Sequence, residues 1–446
     1  MRAPLSPLTA ARKRGTLGAE GAEYGGSGPL MVRDWCAGTR YVQIDKMLIG
    51  RDNWRANRSV LFAQSVALLG IMLTLVACSQ SKPVPADGMW DPKAAAAYLD
   101  RRMRWWISWE GSARDHGTFC ISCHTAVPYA LARPALHATL AERTPTALER
   151  QLTDDVRRRV QLWNETSPFY PDEYVAPGKS AESRGTEAVL SALILACDDA
   201  RTGRLNADTV TAFDHMWAKQ LTSGDGAGAW SWLDFDLSPW ESAAVDAQYY
   251  GAALAAIAVG VAPENYQSRQ QIQDSLRLLR DYLAREYPRQ SLHNQLILLW
   301  ASTKLPGVLD AGRREYLVAT VLRAQNRDGG WSLSALMAKS GKGKRNYPDS
   351  DGYATGLVTL VLGQTATPGA EPQVQRGLTW LMRNQQGHGG SWIRGQEGFW
   401  VARSLNKWRN PWSNVGRFMS DAATAYAVLA LTERPQAEPV VASARK

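Results

Sequence analysis

Five stretches of this chain are apolar on nearly every face of a helix, and they recur. They open at Gly185-Thr186-Glu187, Asp246, His293, Asp351 and Asp421 and continue as AVLSALILA, AQYYGAALAAIAVG, NQLILLWAS, GYATGLVTLVLG and AATAYAVLAL. A helix with small and apolar residues all round is a buried helix. The starts lie 61, 47, 58 and 70 residues apart. One buried helix per interval leaves room for one amphipathic partner, the pattern of a helix-pair repeat. A step of 61 residues back from Gly185 reaches His124, where HTAVPYALARPAL fits a sixth buried helix shortened by Pro128 and Pro134. Partner helices are predicted near 92–108, 147–164, 205–219, 266–285, 311–324 and 371–384. The expected fold class is all-α: six inner helices inside six outer ones, an (α/α)6 toroid over residues 91–435.

Three outer helices end in turns that carry Gln, Gly and Trp. They are Gln220 with Gly228-Ala229-Trp230, Gln325 with Gly329-Gly330-Trp331, and Gln385 with Gly390-Ser391-Trp392. Gly suits a helix end because it tolerates positive φ. Gln can hydrogen-bond exposed backbone there, and Trp can cover the turn. These segments resemble the QW motif of squalene cyclases and related terpenoid cyclases, closely at 325–331 and 376–392 and more loosely at 220–230. The resemblance implies that Gln220, Trp230, Gln325, Trp331, Gln385 and Trp392 are structural residues that tie outer helices together. It also implies an isoprenoid or other apolar ligand. The 266–285 unit lacks such a turn and keeps only Tyr282-Leu283 and Tyr287-Pro288.

In such a barrel the inner helices run parallel, so His124, Glu187, Asp246, His293, Asp351 and Asp421 form a ring at one mouth. Pockets with convergent polar groups are default candidate sites. Asp and Glu at a helix start also serve as caps. Asp349-Ser350-Asp351 is the nearest approach to a carboxylate pair, and two carboxylates in a cavity can raise one pKa and leave a neutral acid. The candidate catalytic residues are therefore Asp351, Asp349, Asp421, Asp246 and Glu187. Class II terpenoid cyclases use D-x-D-D, whereas Gly352 follows Asp351 here. The chain has length for one barrel, and the triterpene enzymes carry two. The Asp, Cys, His zinc set of the related protein prenyltransferases is not assembled either.

Cys120-Ile121-Ser122-Cys123-His124 has the spacing that attaches a c-type haem. Two thiols one helical turn apart each add to a vinyl group, and the imidazole becomes an axial iron ligand. A disulfide or a partial zinc site satisfies the same spacing. Met103, His116, His137 and Met216 are candidates for a distal ligand, with no diagnostic spacing. Any haem would sit on the barrel, beside the ring, because no separate cytochrome domain fits.

The N-terminus bears on that choice. Residues 60–77, VLFAQSVALLGIMLTLVA, form an apolar run after Arg51, Arg55 and Arg58, and the run ends Leu75-Val76-Ala77-Cys78. This is the layout of a secretory signal. Its last four residues resemble the lipobox of bacterial lipoproteins, which implies lipid on Cys78. Ser79 then implies the outer membrane, facing the periplasm. A single membrane anchor is the alternative, since 18 residues is near the minimum span. Met47 would start a signal of ordinary length over 47–77, and 1–46 is then a doubtful leader. Residues 78–90 read as a tether and 436–446 as a disordered tail. An exported chain meets oxidising conditions. Cys36 lies in the leader, and Cys197 sits within an apolar run as a small hydrophobe.

Charge adds little. The chain is +9, but residues 78–446 hold 41 basic and 37 acidic residues, which gives no nucleic-acid footprint. Aromatic walls could shield a carbocation, although most of the 18 Trp are expected to pack between helices. The basic loop 332–350 is expected to be solvated. Two functions follow as expectations. One is a terpenoid cyclase-like lipoprotein that binds or transforms an apolar ligand and carries haem c. The other is a haem-bearing periplasmic electron-transfer or binding protein that uses the toroid as a non-catalytic scaffold. No redox partner is named by the sequence.

Overall fold

A computed structural model describes residues 90–240, 244–337, 345–387 and 398–433. The leader with Cys36, the signal at 47–77, Cys78, the tether up to 89, Gly390-Ser391-Trp392, residues 338–344 of the basic loop and the tail lie outside the described residues. Among the described residues the fold is all-α, with three isolated β-bridges: Ala113 to Phe119, Gln220 to Trp230 and Gln386 to Phe399.

Six amphipathic helices alternate with six apolar ones. The amphipathic set is α1 (Pro92–Ser108), α3 (Ala147–Gln161), α5 (Ala207–Ala218), α7 (Gln273–Glu286), α9 (Ala311–Arg323) and α11 (Glu371–Arg383). The apolar set is α2 (Ala126–Ala132), α4 (Lys179–Ala200), α6 (Ala244–Val261), α8 (Leu292–Ser302), α10 (Gly352–Thr365) and α12 (Phe418–Thr432). The expected boundaries hold within a few residues for most. The exceptions are α4, which starts at Lys179 rather than at Gly185, and α7, where 266–272 forms two 3-10 turns before the helix starts.

Local chemistry explains the starts. Asp91 caps α1 by accepting from the Lys93 and Ala94 N–H groups, with Pro92 at the helix start. Thr146 and Glu149 make a capping box on α3. Along α7 the buried residues Leu276, Leu279 and Leu283 recur at helical spacing. The apolar set differs: α10 is buried without a break from Gly352 to Leu362, and α12 from Phe418 to Ala430.

Packing follows chain order. Helix α2 packs on α4, α4 on α6, α6 on α8, α8 on α10 and α10 on α12, and α12 packs back on α2. Most amphipathic helices pack on the apolar helix before them: α5 on α4, α7 on α6, α9 on α8 and α11 on α10, whereas α3 touches α2 and packs mainly on α4. Helix α1 packs on α12. Helices α10 and α12 approach closely: a Cβ on Gly356 would lie 2.7 Å from the Ala427 nitrogen.

The Gln side chains extend this order. Gln220 Nε2 donates to the Ser275 carbonyl on α7, and Gln325 Nε2 to the Gln373 carbonyl on α11. Gln385 Nε2 donates to the Asp91 carbonyl, and its Oε1 accepts from the Asp91 N–H at 2.7 Å. Each therefore reaches the start of another amphipathic helix. The indoles secure the turns from the other side. Trp230 Nε1 donates to Met216 O, and Trp331 Nε1 to Val321 O. In the third turn this role belongs to Trp400, whose Nε1 donates to Leu381 O at 2.9 Å. Trp392, the indole the sequence pairs with Gln385, lies outside the described residues.

Candidate functional site

The segment from Trp109 to Thr125 joins α1 to α2 and carries the cysteines. Cys120 N donates to Ser112 O, and the Cys120 carbonyl accepts from Trp106 Nε1 at 2.7 Å. Ser122 Oγ accepts from the Thr125 and Ala126 N–H groups and so starts α2. The expectation of two thiols on one helical turn needs correction: residues 120–122 are irregular, and the turn begins at Cys123. Cys120, Cys123 and His124 are all buried, at 5, 7 and 8% exposure. The two cysteines are thiols rather than a disulfide.

His124 is held by a chain of hydrogen bonds. Its Nδ1 lies 2.9 Å from Thr125 Oγ1, and Thr125 Oγ1 donates to Asp421 Oδ2 at 2.8 Å. Asp421 also accepts from Arg102 Nε at 2.6 Å, from Arg102 Nη2 at 2.9 Å and from Tyr98 OH at 2.9 Å. A hydroxyl has one proton. Thr125 gives it to the carboxylate, so Nδ1 must be the donor to Thr125. That tautomer places the lone pair on Nε2. Burial, then the charges of Arg409 and Arg102, push the His124 pKa well below its ordinary value and keep the ring neutral.

Aromatic rings surround the imidazole. Phe418 stacks on its face with centroids 3.6 Å apart. Trp106 meets it edge-on at 5.1 Å, and Trp240 lies at 6.0 Å. Phe418 covers the ring face, whereas a metal approaches in the ring plane along Nε2. Trp240 leads on to Tyr353 at 5.8 Å, and Tyr353 to Tyr426 at 5.2 Å. Tyr353 OH also bonds His293 Nε2 at 2.9 Å. His293 therefore belongs to this buried aromatic cluster.

The donor set fits a c-type haem: two thiols, and a neutral imidazole whose second nitrogen is fixed by a hydrogen-bonded carboxylate relay. Metal-bound histidines are commonly oriented that way. Among the described residues no group of three or more His, Cys, Asp or Glu is placed to hold a metal ion by itself. Of the distal candidates, Met103 and Met216 are buried in α1 and α5, His116 is exposed, and His137 is bound to Glu149 at 2.9 Å.

The five candidate acids do not converge on one reaction centre. Asp351 caps α10: Oδ1 accepts from Ala354 N at 3.0 Å, and Oδ2 from Leu333 N at 2.6 Å. Burial pushes its pKa up to about 6, and those backbone bonds oppose the rise. Asp349 lines a surface cleft with Asp351, Tyr347, Trp380 and Arg403. Asp421 is committed to Arg102. Glu187 is not at a helix start but in the third turn of α4, fully buried between Arg159 and Arg184. Asp246 lies in the first turn of α6, and its carbonyl accepts from Asn294.

Of the buried arginines Arg102, Arg133, Arg159 and Arg417, none of which the sequence reading singled out, two hold the acids of this region. Arg102 falls on the apolar stripe of α1 with Tyr98, Leu99 and Trp106, and Arg159 on that of α3 with Leu152 and Val156. A charge on a buried stripe is the signal that would have found them. Asp155 sits nearby; its Oδ1 accepts from Phe119 N at 3.0 Å, and its other oxygen is buried without a hydrogen-bond partner. Burial pushes its pKa up to about 7.

Among the described residues no helix is long and apolar enough to cross a membrane. No protein-family model matches the chain, and no curated protein matches its sequence significantly.

Proposed function

We propose that this chain is an exported, lipid-anchored protein whose (α/α)6 toroid is a scaffold for a covalent c-type haem. Cys120 and Cys123 would hold the haem covalently, and His124 would offer its Nε2 to the iron. The single observation that carries the reading is the His124–Thr125–Asp421–Arg102 relay, which fixes the tautomer a ligand needs. A haem there supplies one-electron transfer. The protein's share is to orient the imidazole, keep it neutral and dry, and hold the ring planes of Phe418, Trp106 and Trp240 around it. The toroid reading is supported by the contact circuit from α2 to α12 and back. Cys78 is the proposed lipid site, and the outer membrane the proposed location.

Scaffold rather than catalyst is favoured by the acids themselves. Asp351, Asp421 and Glu187 each have both oxygens engaged by backbone N–H groups or guanidinium. The rings of Tyr353, Tyr426, Trp240 and His293 pack on one another, three of them from apolar helices. A terpenoid cyclase-like activity on an isoprenoid is the second reading, and the cleft shared by Asp349 and Asp351 favours it.

Protein produced with a haem-attachment system should give a pyridine haemochrome spectrum of a covalent c-type haem. The Cys120→Ala, Cys123→Ala double variant should give none. A wild-type protein without covalent haem would overturn the reading and leave a buried thiol pair. Turnover of an isoprenoid that Asp349→Asn or Asp351→Asn abolishes would replace the scaffold by the enzyme.

A further inference from the structure

Residues 401–413 leave the Trp400 turn as an irregular segment on the way to α12. Trp106, Trp230, Trp240, Trp331 and Trp400 are buried, but this segment turns two indoles outward. Trp408 is 74% exposed and Trp412 is 70% exposed. Between them lie Asn410 and Pro411, both exposed. From Val401 to Arg417 the chain has four basic residues and no acidic one. Arg417 is buried against Phe399, and Lys407 lies 3.6 Å from Asp236. Arg403 is exposed over Tyr347, and exposed Arg345 lies 4.8 Å from the Trp408 ring centroid. The outward face is thus two indoles flanked by guanidinium groups.

The described N-terminus begins at the same place. Trp90 packs on Trp400 with centroids 6.3 Å apart, and Asp91 is bonded to Gln385. The tether from Cys78 therefore arrives at the turn from which residues 401–413 depart. Twelve extended residues span about 40 Å at most, so an anchored protein stays within reach of its bilayer.

We propose that Trp408 and Trp412, with Arg345 and Arg403, form a membrane-contact surface for an anionic phospholipid bilayer. Indoles favour the headgroup level, where the ring is half in hydrocarbon and the N–H stays wet. Guanidinium groups beside them are drawn to anionic headgroups. The lipid at Cys78 belongs to the function proposed above and serves here only to bring the surface close.

The test uses the full purified chain with vesicles of brominated phosphatidylcholine, with and without phosphatidylglycerol. Flotation reports attachment, and quenching of tryptophan fluorescence reports indole insertion. Wild type should be quenched most with phosphatidylglycerol present. The Trp408→Ala, Trp412→Ala double variant should lose roughly threefold of that quenching with unchanged helical content. Arg345→Gln with Arg403→Gln should weaken it and flatten its salt dependence. Equal quenching in wild type and the double variant, while both float, would overturn the surface and leave the N-terminal anchor standing. Loss of flotation in the double variant would assign attachment to the surface rather than to Cys78. A photoreactive residue at position 412 that links to protein and not to lipid would also overturn the proposal.

Discussion

The turn that carries Cys120 to His124 and the turn that carries Gln325 to Trp331 occupy the same step of the repeat, from an amphipathic helix to an apolar one. They are closed by the same kind of bond in opposite directions. At the second turn the indole sits on the turn, and Trp331 Nε1 donates back to Val321 O on the helix. At the first the indole sits on the helix, and Trp106 Nε1 donates forward to Cys120 O on the turn. A turn that brings its own indole has little room for anything else. Gly329, at φ +95°, presses so close to α11 that a Cβ would lie 2.9 Å from the Arg376 carbonyl. With the indole moved onto α1, the first turn is released to carry two thiols and an imidazole. Structure and chemistry thus separate between two copies of one element.

The largest expected effect tests that separation. Trp331→Ala should destabilise the protein by about 3–5 kcal/mol, as for other buried Trp truncations, and leave His124 unaffected. Trp106→Ala should cost a similar amount and also disturb the imidazole. Chemical denaturation, with the spectrum of the folded fraction after production with a haem-attachment system, distinguishes the two. Equal spectra would remove the distinction.

A smaller effect depends on pH. Asp155, bonded to the residue before Cys120, has its pKa raised by burial to about 7. A carboxyl with a raised folded pKa favours the fold most below its unfolded pKa. That contribution is lost as pH rises through the folded value. Wild-type stability should therefore fall between about pH 4 and 7 by on the order of 3 kcal/mol from this group. Asp155→Asn should flatten that slope, and Oδ1 keeps its bond to Phe119 N. Denaturation midpoints over this range give the answer; an unchanged slope would place the titration elsewhere.

Thr125→Val separates the relay from the packing. It should cost about 1–2 kcal/mol through a lost buried hydrogen bond, and shift the reduction potential of a loaded protein because Nδ1 loses its acceptor. Gln325→Ala should cost about 1 kcal/mol with no change in potential. A potential that moves in both variants would make the two turns equivalent.

Much of the helix order is legible in the sequence, because apolar and amphipathic periods alternate and because Asp91, Thr146 and Asp310 sit where caps belong. The third indole and the partners of the histidine are not. Trp400 hides because its distance from Gln385 is longer than the Gln-to-Trp distance in the other two turns. The site is only half legible. Cys120, Cys123 and His124 announce themselves by spacing, whereas Arg102, Thr125 and Asp421 meet across some 300 residues through packing alone. The acids look like a set because each stands near the start of an apolar helix. The structure gives them separate partners instead, among them a cap for Asp351 and ion pairs for Asp421 and Glu187.

Gln385 and Asp91 are joined by two hydrogen bonds across 294 residues. Closing so long a stretch costs chain entropy before any contact repays it, and such topologies fold slowly. Among the described helices α1 is the first to be made; it meets α2 early, where Tyr129 and Arg133 bond Asp100, but its other partners, α12 and the turn after α11, come last. One side of α1 is therefore secured only when the end of the fold arrives, and a protein cut short before Gln385 leaves Asp91 without its two bonds.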